Sequence, residues 1–226
     1  MESPSAWRDW FASPSPLPVQ GTPALAEMPA MMRRRVERLG RIALQATYWS
    51  VADAEPGPLV FASRYGDIAR SIELLEQLAQ GQSLSPTSFS LSVHNAIGAL
   101  YSIACGDTGP YTAIAAGEET VAAAFVEAQG LLADGAPAVT VICYEEPLPP
   151  LYQGFAGNEV NFPRGWACRL RLAGQGGVSV ECGTAAADAA ALRLPADLAI
   201  LDFLLSDQAE LRHQVGTRQW RWQRHA

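Results

Sequence analysis

The stretch AVTVICYEE, residues 138–146, constrains this chain more than any other. It reads as a buried strand, and such a strand needs apolar cover on its faces. The rest of the chain alternates strands with helical stretches, a pattern that implies a three-layer α/β domain. PLVFASR, residues 58–64, is a second buried strand ended by Tyr65-Gly66-Asp67. Asp67 then caps a helix with Ile68, Ile72, Leu75 and Leu78 inward, stopping at Gly81. YTAIAA, residues 111–116, is a short strand running into Gly117, and an Ala-rich helix follows over 118–132 with Asp134-Gly135 at its end.

Two further helices are expected. Residues 29–50 carry Met32, Val36, Leu39, Ile42, Ala43 and Ala46 at helical spacing. Residues 90–105 form a small-residue helix stopped by Gly106, after a Ser/Pro turn, and its small side chains allow close backbone approach. Residues 1–27 are rich in Pro, Ser and Ala and read as an extended lead-in, with Trp7, Trp10 and Phe11 as anchors onto the domain. Beyond the prolines at 147, 149 and 150, ACRLRLAG and GVSVECG read as a hairpin around the glycines at 174–177. That run departs from GxGxxG and precedes a strand, so it is no dinucleotide fingerprint. A last helix is expected over 197–207, and QWRWQR alternates in strand fashion. No repeat of solenoid length is present.

Nearly half of the 226 residues are apolar and 17% are charged, as a globular domain requires. A net charge of −7 argues against a nucleic-acid or anionic-membrane surface. Four of the sixteen basic residues nevertheless fall within MRRRVER, residues 32–38. An acidic carrier protein could use that patch; the plainer reading is the solvated face of a helix. No apolar run is long enough for a transmembrane helix. The N-terminus has acids and prolines where a signal peptide needs a basic start and an apolar core, so a cytoplasmic location is expected. Cys105, Cys143, Cys168 and Cys182 form no CxxC pair and read as buried free thiols, neither zinc ligands nor a redox motif.

Of the three histidines, His225 is expected to fray and His213 sits in a polar stretch. His94 lies inside an apolar helix, where a satisfied core histidine is the ordinary outcome. GxSxG, HExxH and Walker A patterns are all lacking, so local motifs assemble no nucleophile–base–orienter set.

One longer pattern does carry chemistry. SPTSFSLSVHNAIGALYSIA followed by GPYTAIAAGEETVAAAFVEA resembles the β-ketoacyl synthase stretch that leads through a dimer-interface helix to the nucleophile elbow. PLVFASRYGD and YEEPLPPLY extend the likeness, which covers nearly all of residues 25–155, to truncated synthase-like proteins of the chain-length-factor type in aryl polyene pigment biosynthesis. This resemblance implies a three-layer thiolase-like half domain of the β-ketoacyl synthase N-terminal type, with a short C-terminal hairpin and helix extension. The implied divisions are a lead-in (1–27), the synthase-like domain (28–155) and an extension completing it (156–226). Counting forward from Gly109-Pro110 places the synthase cysteine at Glu118, with Glu119 beside it. A synthase cysteine works because a helix N-terminus and nearby histidines favour its thiolate. Glutamate forms no transferable thioester. Acids in a first helical turn also have a plain structural reading, worth a few tenths to about 1 kcal/mol. The resemblance adds a second possibility, that Glu118 ends a buried, vestigial substrate channel.

The function implied is a non-catalytic subunit that pairs with a full-length β-ketoacyl synthase and helps to form its acyl tunnel. Acyl carrier protein would be met through the complex, with no cofactor, metal, nucleic acid or membrane span. YTAIAA and the helix through 92–103 would face the partner. Phe89, Val93 and Ile97, at i, i+4, i+8, would floor the tunnel, with His94, Asn95, Tyr111 and Ile114 nearby at the interface. The alternatives are a malonyl-carrier-protein decarboxylase using Glu118, or a free-standing acyl or carrier-protein binding module.

Overall fold

In a computed structural model of the chain, residues 3–52, 54–156, 160, 162–174, 176–185 and 192–225 are described. The central sheet has the order β2-β1-β3-β4. β1 (Leu59–Ala62), β2 (Tyr111–Ile114) and β3 (Val139–Glu145) run parallel, and β4 (Arg164–Leu170) is antiparallel to β3. Side chains alternate across it as strand geometry demands. Val60, Ala62, Val139, Val141 and Cys143 enter one apolar cluster. Leu59, Phe61, Ile142 and Tyr144 enter the other.

On the second of these faces lie α3 (Arg38–Val51) and α6 (Ala96–Cys105), which contribute Leu39, Ala43, Leu44, Ile97 and Tyr101. On the first lies α7 (Thr120–Ala133). Beyond α7 sits a second, antiparallel sheet of β5 (Gly177–Thr184), β6 (Glu210–Val215) and β7 (Arg218–His225), in the order β5-β7-β6. α8 (Ala196–Leu205) joins the same cluster. The alanines of α7 let it pack against both sheets, and Phe125 meets Trp222 edge-on with ring centroids 4.8 Å apart. The expected helix–sheet–helix layering is therefore present, with a small sheet added behind α7.

Local structure follows several sequence signals. Asp67 does cap α4 (Ile68–Ala79), accepting from the Arg70 amide at 3.1 Å. Gly106 ends α6 in the left-handed conformation.

Other expectations are corrected. Residues 4–12 form a helix, α1 (Pro4–Ala12), because Ser3 accepts from the Ala6 amide and Pro4 suits the first turn. Trp7 and Trp10 are buried on it, as anchors should be. The helix expected over 29–50 is broken into α2 (Ala30–Arg33) and α3. The Arg41 guanidinium takes the carbonyls of Arg33 and Val36 and fixes the turn between them. On α4, Ile72 and Leu74 are buried while Leu75 and Leu78 face outward.

The helix expected over 90–105 starts earlier and is interrupted. α5 (Pro86–Ser92) begins at a Ser85 cap, Val93 is extended, and α6 starts afresh after Asn95. Phe89, Val93 and Ile97 therefore do not share one helical face. The expected hairpin is absent too: β4 pairs with β3 and β5 with β7, so the glycine run joins two different sheets. Cys143 is buried, but Cys105 and Cys182 are exposed. His225 is held in β7, where its Nε2 lies 2.8 Å from the Ser179 hydroxyl.

Candidate functional site

A cavity of about 290 Å³ opens at the carboxyl ends of the parallel strands, where open α/β sheets commonly bind ligands. Arg64 reaches it from the end of β1, Glu145 from the end of β3, and Glu118 from the turn that opens α7. Gly117 makes that turn with a φ of +59°, a conformation a side chain would strain. Arg164 from β4, Asp197 from α8 and His213 from β6 complete the polar lining. No cysteine is among the described residues that line the cavity. Burial pushes the Cys168 thiol up to about 12 and the Cys143 thiol well above its ordinary value, opposite to what a thiolate nucleophile needs.

The carboxylates differ in their company. Glu118 is half exposed and pairs with the Arg64 guanidinium at 3.7 Å. It does not end a buried channel in this chain. Glu119, its neighbour, is the buried one: it accepts from the Trp220 indole at 2.8 Å and from the Arg218 guanidinium. Glu145 accepts from the Arg64 amide and the Ser63 hydroxyl. Asp197 and Arg164 form a buried two-point pair at 2.5 and 2.9 Å. The α-helix itself begins at Thr120, because residues 117–119 form a tighter 3₁₀ turn.

His213 is the residue that its local surroundings concealed. It is buried opposite Trp220 in the β6–β7 ladder, and its Nδ1 has no hydrogen-bond partner among the described residues. Burial lowers its pKa, while Glu118 and Glu119 pull it upward. The signal was present: Leu211, His213 and Val215 alternate along a strand and share one side.

A second region forms around β2. The amides of Leu59 and Ser63 bond the carbonyls of Pro110 and Ile114, so the N–H and C=O groups of Tyr111 and Ala113 point away from β1. No described strand pairs with that outer side. His94, Asn95, Tyr111, Thr112 and Ala113 line a shallow surface pocket there. His94 Nε2 lies 3.2 Å from the Ile114 carbonyl. At Gly98 a Cβ would lie 2.5 Å from the Tyr111 ring, so only glycine lets α6 come this close to β2. Phe89 and Val93 are exposed at 60% and 45%, whereas Ile97 is buried in the core. Of the expected interface residues, His94, Asn95 and Tyr111 lie together at this edge strand, and Ile114 belongs to β2 and packs against the core. Glu118 and Glu119 belong to the separate cavity.

A family model described as the N-terminal domain of beta-ketoacyl synthase matches residues 7–223. No curated protein sequence matches closely enough to count as a relative. Among solved structures, a ketosynthase (ApeO) in complex with its chain length factor (ApeC) from Xenorhabdus doucetiae is similar, with TM-score 0.82 and 24% identity. That match covers 97% of this chain and 92% of the other, so the two are of nearly equal length. The ishigamide ketosynthase/chain length factor matches at TM-score 0.62 and 16% identity, over 80% of this chain and 63% of its own. A beta-ketoacyl synthase from Burkholderia phymatum matches at TM-score 0.51 and 18% identity, over 66% of this chain and 41% of its own. No described helix is long and apolar enough to cross a membrane.

Proposed function

The chain belongs to the β-ketoacyl synthase family, by its N-terminal domain, and we propose that it acts there as a catalytically silent partner of the chain-length-factor type. In this reading it pairs with a full-length ketosynthase in aryl polyene-like biosynthesis and helps to close the acyl tunnel. The observation that carries it is the outer edge of β2, where the backbone groups of Tyr111 and Ala113 are paired by no described strand and His94 and Asn95 stand beside them. An unprotected strand edge invites another strand. The similar Xenorhabdus structure is a ketosynthase with its chain length factor, which supports the choice of partner. Glu118 supports the silence, since a carboxylate stands where the resemblance puts the nucleophile.

Co-expression with a ketosynthase from the same gene neighbourhood tests the pairing. A stable 1:1 complex is expected, and a chain that purifies alone as a soluble monomer in its presence would refute it.

Decarboxylation of malonyl-carrier protein is the second reading, favoured by His213 entering the same cavity as Glu118. Glu118, Glu145 and Asp197 outnumber Arg64 and Arg164 in that lining, and Arg164 is already paired with Asp197, which disfavours a carboxylate substrate, so the silent subunit is preferred. Release of carbon dioxide by the purified chain, lost in Glu118→Gln, would reverse the ranking.

A further inference from the structure

Residues 13–24 run between α1 and α2 without helix or strand, and prolines at 14, 16, 18 and 23 stiffen them. Side chains hold this strap at fixed points along its length. The Trp10 indole donates to the Ser15 carbonyl at 2.9 Å, and the Arg38 guanidinium to the Val19 carbonyl at 3.0 Å. The Arg41 guanidinium donates to the Pro23 carbonyl at 3.4 Å, and just beyond the strap Gln45 accepts from the Leu25 amide at 3.1 Å. So pinned, the strap stands off the core, and a groove of about 580 Å³ lies between it, α3 and the start of β4. Small-molecule sites usually measure about 300–1,000 Å³. β4 is the edge of the central sheet opposite β2, so the groove lies away from the interface proposed there.

Trp7 from α1, Trp49 from α3 and Phe162, just before β4, bring aromatic rings to the groove, and Leu17 and Ile42 add apolar wall. Trp7 and Phe162 are buried, whereas Trp49 is 52% exposed, a large apolar surface left open. The polar groups of the lining are already engaged. Among the described residues that line the groove, Arg164 alone is charged, and it is paired with Asp197. Gln45 accepts from Leu25 and donates to Glu27 at 2.8 Å. A charged ligand would therefore lose its water here and gain no counter-charge. We propose that this groove binds an uncharged, planar aromatic small molecule, with Trp49 as its main contact. The walls come from three separate segments, which enclose a compact ligand and leave little for a broad protein surface to meet. The site stands whether or not the pairing at β2 holds.

Phenylnaphthylamine is the neutral probe, and anilinonaphthalenesulfonate, the same rings carrying a sulfonate, is its charged counterpart. Both brighten on entering an apolar site. Titrated into the full chain, in the assembly it purifies in, the neutral probe should bind at least about tenfold more tightly than the sulfonate. Trp49→Leu keeps apolar bulk but removes the ring, and should weaken the neutral probe at least about tenfold, whereas Trp49→Phe should stay within about threefold. Phe155→Ala removes an aromatic of similar exposure (65%) outside the groove and should change the affinity less than about twofold. Ala24→Lys sets a bulky charge in the groove and repeats the test should Trp49→Leu fold poorly by circular dichroism. Equal affinity for the two probes, equal losses in Trp49→Leu and Phe155→Ala, or no binding by the unaltered chain would each overturn the proposal. Co-purification with ketosynthase should survive Trp49→Leu; its loss would make the groove a protein interface and overturn the small-molecule site.

Discussion

Glu119 and Trp220 lie 101 residues apart and meet through one buried hydrogen bond, indole Nε1 to carboxylate Oε1, at 2.8 Å. The bond fastens the opening turn of α7 to the central strand of the second sheet. Glu119 is therefore a structural fastening, and of the two neighbouring glutamates it is Glu118 that faces the cavity.

Glu119→Ala should destabilise the fold by roughly 2–3 kcal/mol, because the Trp220 indole and a charge-assisted bond both lose their acceptor. Glu119→Gln keeps an acceptor for Trp220 and should cost clearly less. Urea denaturation of the two variants measures the difference; equal losses would mean that the indole bond contributes nothing.

Stability should fall in mild acid because of His213. Its folded pKa is lowered by burial, so the unfolded chain binds its proton more readily. The stabilisation is full above the ordinary histidine value of about 6.5 and is lost as pH drops below it toward the lowered folded value. His213→Gln should flatten that part of the stability profile, as followed by thermal unfolding across pH. An unchanged slope would place the acid sensitivity elsewhere.

Asp197→Ala leaves the buried Arg164 guanidinium without its two-point carboxylate and should cost about 3–5 kcal/mol. Replacing both partners by apolar residues (Arg164→Met with Asp197→Leu) should recover most of that loss. The comparison is read from denaturation midpoints.

Ala113→Pro removes an outward-facing amide and leaves the bonds of β2 to β1 in place. The folded chain should survive, while co-purification with a ketosynthase should fail. Retention of the complex would move the interface away from this edge.

Tunnel length is better probed at Phe89 and Val93 than at Ile97. Ile97→Ala would open a core cavity and cost roughly 2–4 kcal/mol, which confounds any change in product. Phe89→Ala and Val93→Ala remove exposed side chains and should shift product length in the intact complex with little loss of stability. Mass spectrometry of the products decides it.

The sequence spoke most clearly where one local interaction sufficed. Asp67 caps its helix through its own amide neighbours, and β3 is apolar enough to require burial from any direction. It spoke least where a residue's role depends on a distant partner. Nothing near Val93 announces a break, because what occupies the interruption is His94 packing on Gly66 and the Ile114 carbonyl. β4 and β5 have the composition of a hairpin, but register against β3 and β7 decides their partners. Leu75 and Leu78 fit the helical period of α4, yet the core meets that helix at Ile72 and Leu74. Glu118 was singled out only through the family likeness, since its local sequence is that of an ordinary acid in a first helical turn. His213 was passed over because its polar neighbours hid a strand that buries every second residue.

The strand order β5-β7-β6 has a consequence for how the chain is made. β7 is the last strand described and also the middle one, so β5 and β6 have no partner until residues 218–225 emerge from the ribosome. Until then α7 lacks the cover that Trp220 and Trp222 give it, more than 80 residues after its own synthesis. A chain stopped before residue 218 would thus expose apolar surface of α7 and leave β5 and β6 as unpaired edges, an aggregation-prone species.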